Sequence, residues 1–249
     1  MRSFKLIVTR LHLWLGLILG VQVVLWITSG VVMSWFHITI VRGEHNIAKQ
    51  EAIALSADQN FAPINGVLAQ FDHPASRIEL TGLQGEPVYR IALSDGSVKI
   101  ADAQTGKIQP FLGENAAKQV AESDFSGNGE IVNSEFLMSL KGITEYRRPP
   151  PVWRFTFDDP EATRIYVSPE TGEVTARRNR IWRIYDFFWM LHIMDYETRD
   201  DFNNPLLKVT ATSALLFALS GLILVLLRLS ASRYANDIRL LFRSMGRRR

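Results

Sequence analysis

Residues 11–36 read LHLWLGLILGVQVVLWITSGVVMSWF, 26 residues without one Asp, Glu, Lys or Arg. Residues 209–227, VTATSALLFALSGLILVLL, give a second stretch of 19 residues with no charge. As helices rising about 1.5 Å per residue they extend about 39 and 28 Å, enough for a hydrocarbon core of about 30 Å. The first run exceeds the 7–15 residues of a signal-peptide core, and no small-residue cleavage site follows Phe36, so it reads as a retained anchor. Everything else in the chain lies before, between or after these two spans.

Charge orients them. Arg2, Lys5 and Arg10 precede the first span, and Arg228 with six further arginines follows the second, opposed by Asp237 alone. The tails carry +9 while the whole chain carries +3, which leaves the middle at −6. By the positive-inside rule both termini face the cytoplasm and the middle faces out, into the periplasm of a cell with two membranes. The basic balance is thereby explained by topology and anionic head groups, so no nucleic-acid partner is implied. The chain has no cysteine, which excludes disulfides, thiolate metal ligands and cysteine nucleophiles. No Ser-His-Asp spacing, glycine-rich phosphate loop or HExxH is present.

The middle contains a repeat. Residues 87–108, PVYRIALSDGSVKIADAQTGKI, and 151–174, PVWRFTFDDPEATRIYVSPETGEV, share one plan. Each opens Pro-Val-aromatic-Arg, alternates apolar with polar, passes an acidic turn, alternates again and reaches Thr-Gly. Alternation of period two predicts strands with one buried face. Asp95-Gly96 and Asp158-Asp159-Pro160 are turn signals, and Gly106 and Gly172 suit a positive φ. Helices are expected before each hairpin, at 61–71 and 115–122, and further strands at 77–81 and near 136–140.

The chain is therefore read as α+β, with two transmembrane helices flanking an extracytoplasmic domain of two small units. The expected divisions are a cytoplasmic tail 1–10, span 11–36, connector 37–51, units 52–111 and 112–178, an interfacial segment 179–204, span 205–228 and a basic tail 229–249.

Four blocks in this order resemble one family. The Pro-Val-aromatic-Arg strand with its acidic and Thr-Gly-Glu turns is similar to PepSY domains. Leu11-His12-Leu13-Trp14-Leu15-Gly16-Leu17, Val41-Arg42-Gly43-Glu44-His45 and Tyr185 through Leu191-His192-Ile193-Met194-Asp195-Tyr196 resemble PepSY-associated transmembrane proteins. The resemblance implies an inner-membrane protein linked to iron and siderophore uptake. Some relatives look like haem-containing reductases of ferric siderophores, with more spans and histidines than the two spans and five histidines here. PepSY domains elsewhere are associated with binding or inhibiting peptidases.

A b-type haem takes two axial imidazoles, each held by a further hydrogen bond. His12, His45 and His192 lie in family blocks, and His37 lies at the outer end of the first span. His12 and His37 are 25 residues apart, about 37 Å along a helix, so they cannot share one haem. His37 or His45 could meet His192 at the outer face, whereas His12 needs a histidine from another chain. The plain alternative for each is a hydrogen bond to head groups or backbone.

Gly16 with Gly20, and Ala214 with Ala218, are small pairs four apart that permit close helix contact. Gln22 needs a hydrogen-bond partner on a neighbouring helix. Such packing serves the two spans, a homodimer or another membrane subunit. Two functions stand side by side: an iron- or haem-linked redox protein acting as an accessory subunit, with a ferric siderophore as ligand; and a non-enzymatic periplasmic protein-binding or regulatory module, peptidase-inhibitor-like or part of a larger complex.

Overall fold

The structure is a computed structural model that describes residues 2–49 and 59–229. The end of the expected connector and the start of the first expected unit, together 50–58, and the basic tail from 230 onward lie outside the described residues. The described chain forms two compact units: Phe36–Tyr185, and the helices on either side of it.

In the helical unit, α1 (Arg2–Trp35) has 34 residues and α6 (Pro205–Leu229) has 25. At the helical rise these are about 51 and 37 Å long, both sufficient to cross a bilayer. They pack along stripes of helical period: Val8, Leu19 and Ser29 are buried on α1, and Thr210 and Ser220 on α6. The remaining faces present apolar side chains outward, among them Leu17, Ile18 and Val21 on α1 and Val209, Leu215 and Leu222 on α6. Water would not tolerate that surface, whereas lipid matches it. Both helices satisfy their backbone internally, as hydrocarbon demands.

In the sheet unit, α2 (Ile38–Val41) and a 3₁₀ turn at Glu44–Asn46 follow the first span directly. Then come α3 (Ile64–Leu68), β1 (Ala75–Leu83), β2 (Glu86–Leu93) and β3 (Val98–Asp102). The second half repeats the plan with α4 (Glu114–Asp124), β4 (Ile131–Leu137), β5 (Val152–Phe157), β6 (Arg164–Val167) and β7 (Val174–Arg178). Both sheets are antiparallel meanders, ordered β1-β2-β3 and β4-β5-β6-β7. Helix α5 (Arg180–Ile193) begins in this unit and ends in the helical one.

The turns form as their residues dictate. Gly96, Gly106 and Gly172 have φ of 86°, 72° and 64°. Asp102 Oδ1 accepts from Thr105 N at 2.6 Å and Gln104 N at 3.0 Å, closing the Thr-Gly turn. The repeats differ after that turn. Val174–Arg178 makes a full fourth strand, but the first repeat makes only the isolated bridge Ala101–Ile108. Pro110 stands two residues beyond Ile108 and has no N–H to extend a ladder.

Each sheet buries one face against its helix. Val67 of α3 packs with Tyr89, Ile91 and Ala101, while Ala117, Val120 and Ala121 of α4 pack with Phe155, Phe157, Ile165 and Val167. Leu83 from the first repeat joins the second core, and a Cβ on Gly172 would lie 2.5 Å from its Cδ1. The two repeats thus share packing.

Candidate functional site

The helical unit holds two histidines whose surroundings follow one design. His12 Nδ1 lies 2.8 Å from Ser220 Oγ, and its ring stacks on Phe217 with centroids 4.4 Å apart and planes 7° apart. Ser220 Oγ donates its single proton back to the Phe217 carbonyl at 2.7 Å. The serine oxygen can then only accept, so the His12 proton sits on Nδ1 and the Nε2 lone pair is left open. Helix approach allows this contact. A Cβ on Gly16 would lie 2.9 Å from Phe217 Cε2, and one on Gly221 2.9 Å from His12 Cε1.

His192, on the last turn of α5, repeats the arrangement. Its Nδ1 lies 2.9 Å from Ser29 Oγ, and Ser29 Oγ donates to the Trp26 carbonyl at 3.0 Å. Ser29 is fully buried. Again the imidazole proton is fixed on Nδ1 and Nε2 is left as a lone-pair donor. Among the described residues nothing hydrogen-bonds Nε2 of either ring.

The end of α5 is pinned by side chains. A helix leaves its last carbonyls without intrahelical partners. Gln22 Nε2 donates to the Leu191 carbonyl at 3.4 Å, Trp26 Nε1 to that of His192 at 2.8 Å, and Asn204 Nδ2 to that of Ile193 at 3.0 Å. Three consecutive carbonyls are thereby satisfied where water is scarce, and Gln22 finds the helical partner its position requires. Asn204 also caps α6 through Leu207 N at 2.8 Å.

His12 and Ser29 are 17 residues apart on α1, which puts the two imidazole sites about 25 Å apart along the helix. They cannot ligate one haem between them. Each does supply the donor that a haem iron takes, an imidazole Nε2 with its Nδ1–H engaged. The donor chemistry of each site would therefore suit a haem iron. His192 and His12 would hold it, Ser29 and Ser220 fixing their tautomers. Among the described residues no three His, Asp or Glu side chains converge into a metal site.

The other histidines are engaged within the sheet unit. His37 caps α2, its Nδ1 2.7 Å from Thr39 Oγ1. His45 Nε2 pairs with Glu161 Oε1 at 2.9 Å. Asn46 and Asn179 bind the same carboxylate at 3.5 and 3.2 Å, and Asn179 Oδ1 caps α5 at Trp182 N, 2.7 Å away. Residues 41–45 therefore anchor the segment after α1: Val41 is buried, Gly43 has φ of 68°, and Ala48 N donates to the Asp124 carbonyl at 2.7 Å. His73 faces Asp95 at 3.7 Å on the surface.

Of the small residues, Gly16 contacts Phe217, whereas a Cβ on Gly20 would meet nothing within 4 Å. Ala214 is half-buried and Ala218 exposed. The acidic run after α5 is a closed turn. Asp195 accepts from the N–H groups of Thr198, Asp200 and Asp201 at 3.0–3.1 Å and from Thr198 Oγ1 at 2.6 Å. What burial there is raises the Asp195 pKa, but these donors outweigh it and hold the carboxyl well below the usual range.

Glu145 is among the buried carboxylates of the sheet unit. Glu145 receives Tyr166 Oη at 2.6 Å, Arg164 at 2.5 Å and Arg183 at 3.3 Å. Burial alone would raise its pKa, yet these donors and charges lower it. Burial, with the hydrogen bond to Glu145, pushes the Tyr166 phenol upward. Arg178 Nε donates to the Glu145 carbonyl at 2.6 Å, and its guanidinium lies 4.3 Å from the Trp182 ring centre. The cluster fastens β6, β7 and the start of α5 together. A polar cleft of about 500 Å³ lies between the repeats, with Arg90, Arg177, Asp124 and Glu173 on its walls.

No curated protein and no solved structure matches the chain. The sequence does match the family described as PepSY-associated TM region across residues 9–249, spans and repeats together, and the chain belongs to that family of membrane proteins.

Proposed function

We propose that this PepSY membrane protein is an accessory subunit for haem-dependent electron transfer in an iron- or siderophore-linked system of the bacterial inner membrane. Its termini are cytoplasmic and its PepSY repeats periplasmic, in keeping with the basic residues outside both spans. The observation that supports the reading is the shared design of His12 and His192. Each has Nδ1–H committed to a serine whose own proton is committed to backbone. Bound haem would supply one-electron redox chemistry. His192 toward one end of the α6 span and His12 toward the other would hold it, and a second copy or another membrane subunit would complete each site.

A reduced-minus-oxidised spectrum of gently solubilised full-length protein from haem-replete cells tests this. The expected result is a b-type α band, weakened by His192→Ala and by His12→Ala and lost in the double variant. A spectrum without the band in the native protein overturns the reading.

The polar cleft between the repeats favours a second reading, a non-enzymatic module that binds a periplasmic protein. That reading expects a co-purifying protein that is lost on Arg90→Glu, with no haem band.

A further inference from the structure

We propose that Arg147, Arg148, Arg178 and Arg180, gathered about Trp182, bind the phosphates of anionic phospholipid at the membrane face that carries the sheet domain. Residues 174–185 hold four arginines and no acid, inside a middle region whose net charge is −6. Two of the four are committed to carboxylates, Arg177 to Asp124 and Arg183 to Glu145. The pattern at Trp182 is different. The Arg178 guanidinium lies 4.3 Å from the centre of its ring, and that of Arg147, from the loop before β5, lies 6.0 Å away. Arg147, Arg148 and Arg180 are exposed. A guanidinium held against an indole keeps its planar fork in one orientation, and that fork matches the oxygens of a phosphate.

Helix α5 argues for lipid rather than a soluble anion. Its last turn bonds Gln22, Trp26 and Ser29 of α1, which stand 13, 9 and 6 residues before the end of that helix at Trp35. Those contacts lie about 9–20 Å inside the end of the span. The 14 residues of α5 extend about 20 Å, so a helix of this length climbs from that depth to the head groups. Its first turn, with Arg180 and Trp182, then meets the lipid surface. Ile184 and Phe187, 40 and 49 % exposed, follow toward the hydrocarbon. Cations and an indole at the head groups with apolar side chains beneath them is the order of a membrane interface. The inference stands apart from the haem reading.

The chain has no cysteine, so Thr144→Cys, exposed and three residues before Arg147, carries a single fluorophore. The full-length protein is placed in vesicles of phosphatidylcholine and phosphatidylglycerol in equal parts. Quenching by phosphatidylglycerol spin-labelled near its head group is compared with quenching by phosphatidylcholine labelled alike. The expected result is about threefold stronger quenching by the anionic lipid, shrinking with added salt. Replacing Arg147, Arg148 and Arg180 together by Gln should remove the preference at unchanged circular dichroism. Replacing Arg247, Arg248 and Arg249 of the basic tail by Gln should keep it. If the first triple variant fails to fold, Arg148→Gln and Arg180→Gln singly should each reduce the preference. Equal quenching by the two lipids in the native protein overturns the proposal. So does a preference that survives substitution of Arg147, Arg148 and Arg180, or one lost with the tail arginines. A preference abolished by free glycerol phosphate would make the ligand a soluble anion and overturn the lipid assignment.

Discussion

At the scale of single residues, the chain separates histidines that fasten structure from histidines that keep a lone pair open, and the partner decides which. His45 faces a carboxylate and ties residues 41–49 to the second repeat. His12 and His192 face serines that can only accept. The histidines themselves were legible in the sequence. Their serines were not, because Ser29 and Ser220 lie 163 and 208 positions from the rings they orient. The partners of Glu145 were hidden for the same reason, since Tyr166, Arg178 and Arg183 lie on three separate elements. Ser29→Ala is expected to keep the fold but release the His192 tautomer, so on the haem proposal the spectral band or midpoint potential of the His192 site should shift while that of the His12 site stays unchanged. Glu145→Gln leaves Arg164 and Arg183 without their shared anion, and a loss of about 3 kcal/mol is expected in chemical unfolding at neutral pH. The pH dependence follows from its lowered pKa. The stabilisation is complete above the unfolded value of about 4.3 and fades as pH falls through the folded value. The native protein should therefore lose stability below about pH 4, with a shallower slope in Glu145→Gln, measured as unfolding midpoint against pH.

At the scale of elements, periodicity was a sound guide and boundaries were not. Both hairpins appear where alternation places them, because register in a half-buried strand is fixed by its apolar face. The helix expected over 61–71 contracts to Ile64–Leu68, since Pro63 starts it and a turn at 69–70 ends it. The two small pairs in the spans carry equal sequence signals and unequal contacts. Motif spacing states that two residues share a helix face but not which neighbour approaches it. Gly16→Leu is expected to drive a side chain into Phe217, whose ring supports His12, and so to weaken the α1–α6 pair and disturb the His12 site together. Gly20→Leu meets open space and should be close to neutral. Paired unfolding midpoints in detergent, with spectra of both variants, check the contrast.

At the scale of the whole molecule, a repeated plan organises the domain. Each repeat is one helix on one small antiparallel sheet, a unit with little core of its own. Leu83 of the first repeat packs against the second core, and Arg90 of the first sheet pairs with Glu173 of the second at 2.9 Å. Because these contacts cross between repeats, the repeats should unfold as one body. Residues 36–185 form a unit with their own cores, so this fragment, expressed without either span, is expected to fold and melt in a single transition with coincident near- and far-ultraviolet circular dichroism. Leu83→Ala should lower that transition by about 1–2 kcal/mol, in keeping with a half-buried leucine, and still leave it single. If the repeats were independent, Leu83→Ala would instead split the melt, leaving the second repeat's signal at its original midpoint while the first moved. Arg90→Gln adds the electrostatic half of the test. The Arg90–Glu173 pair is partly exposed, so its loss should cost less than 1 kcal/mol and shrink with added salt, whereas the Leu83 effect should not.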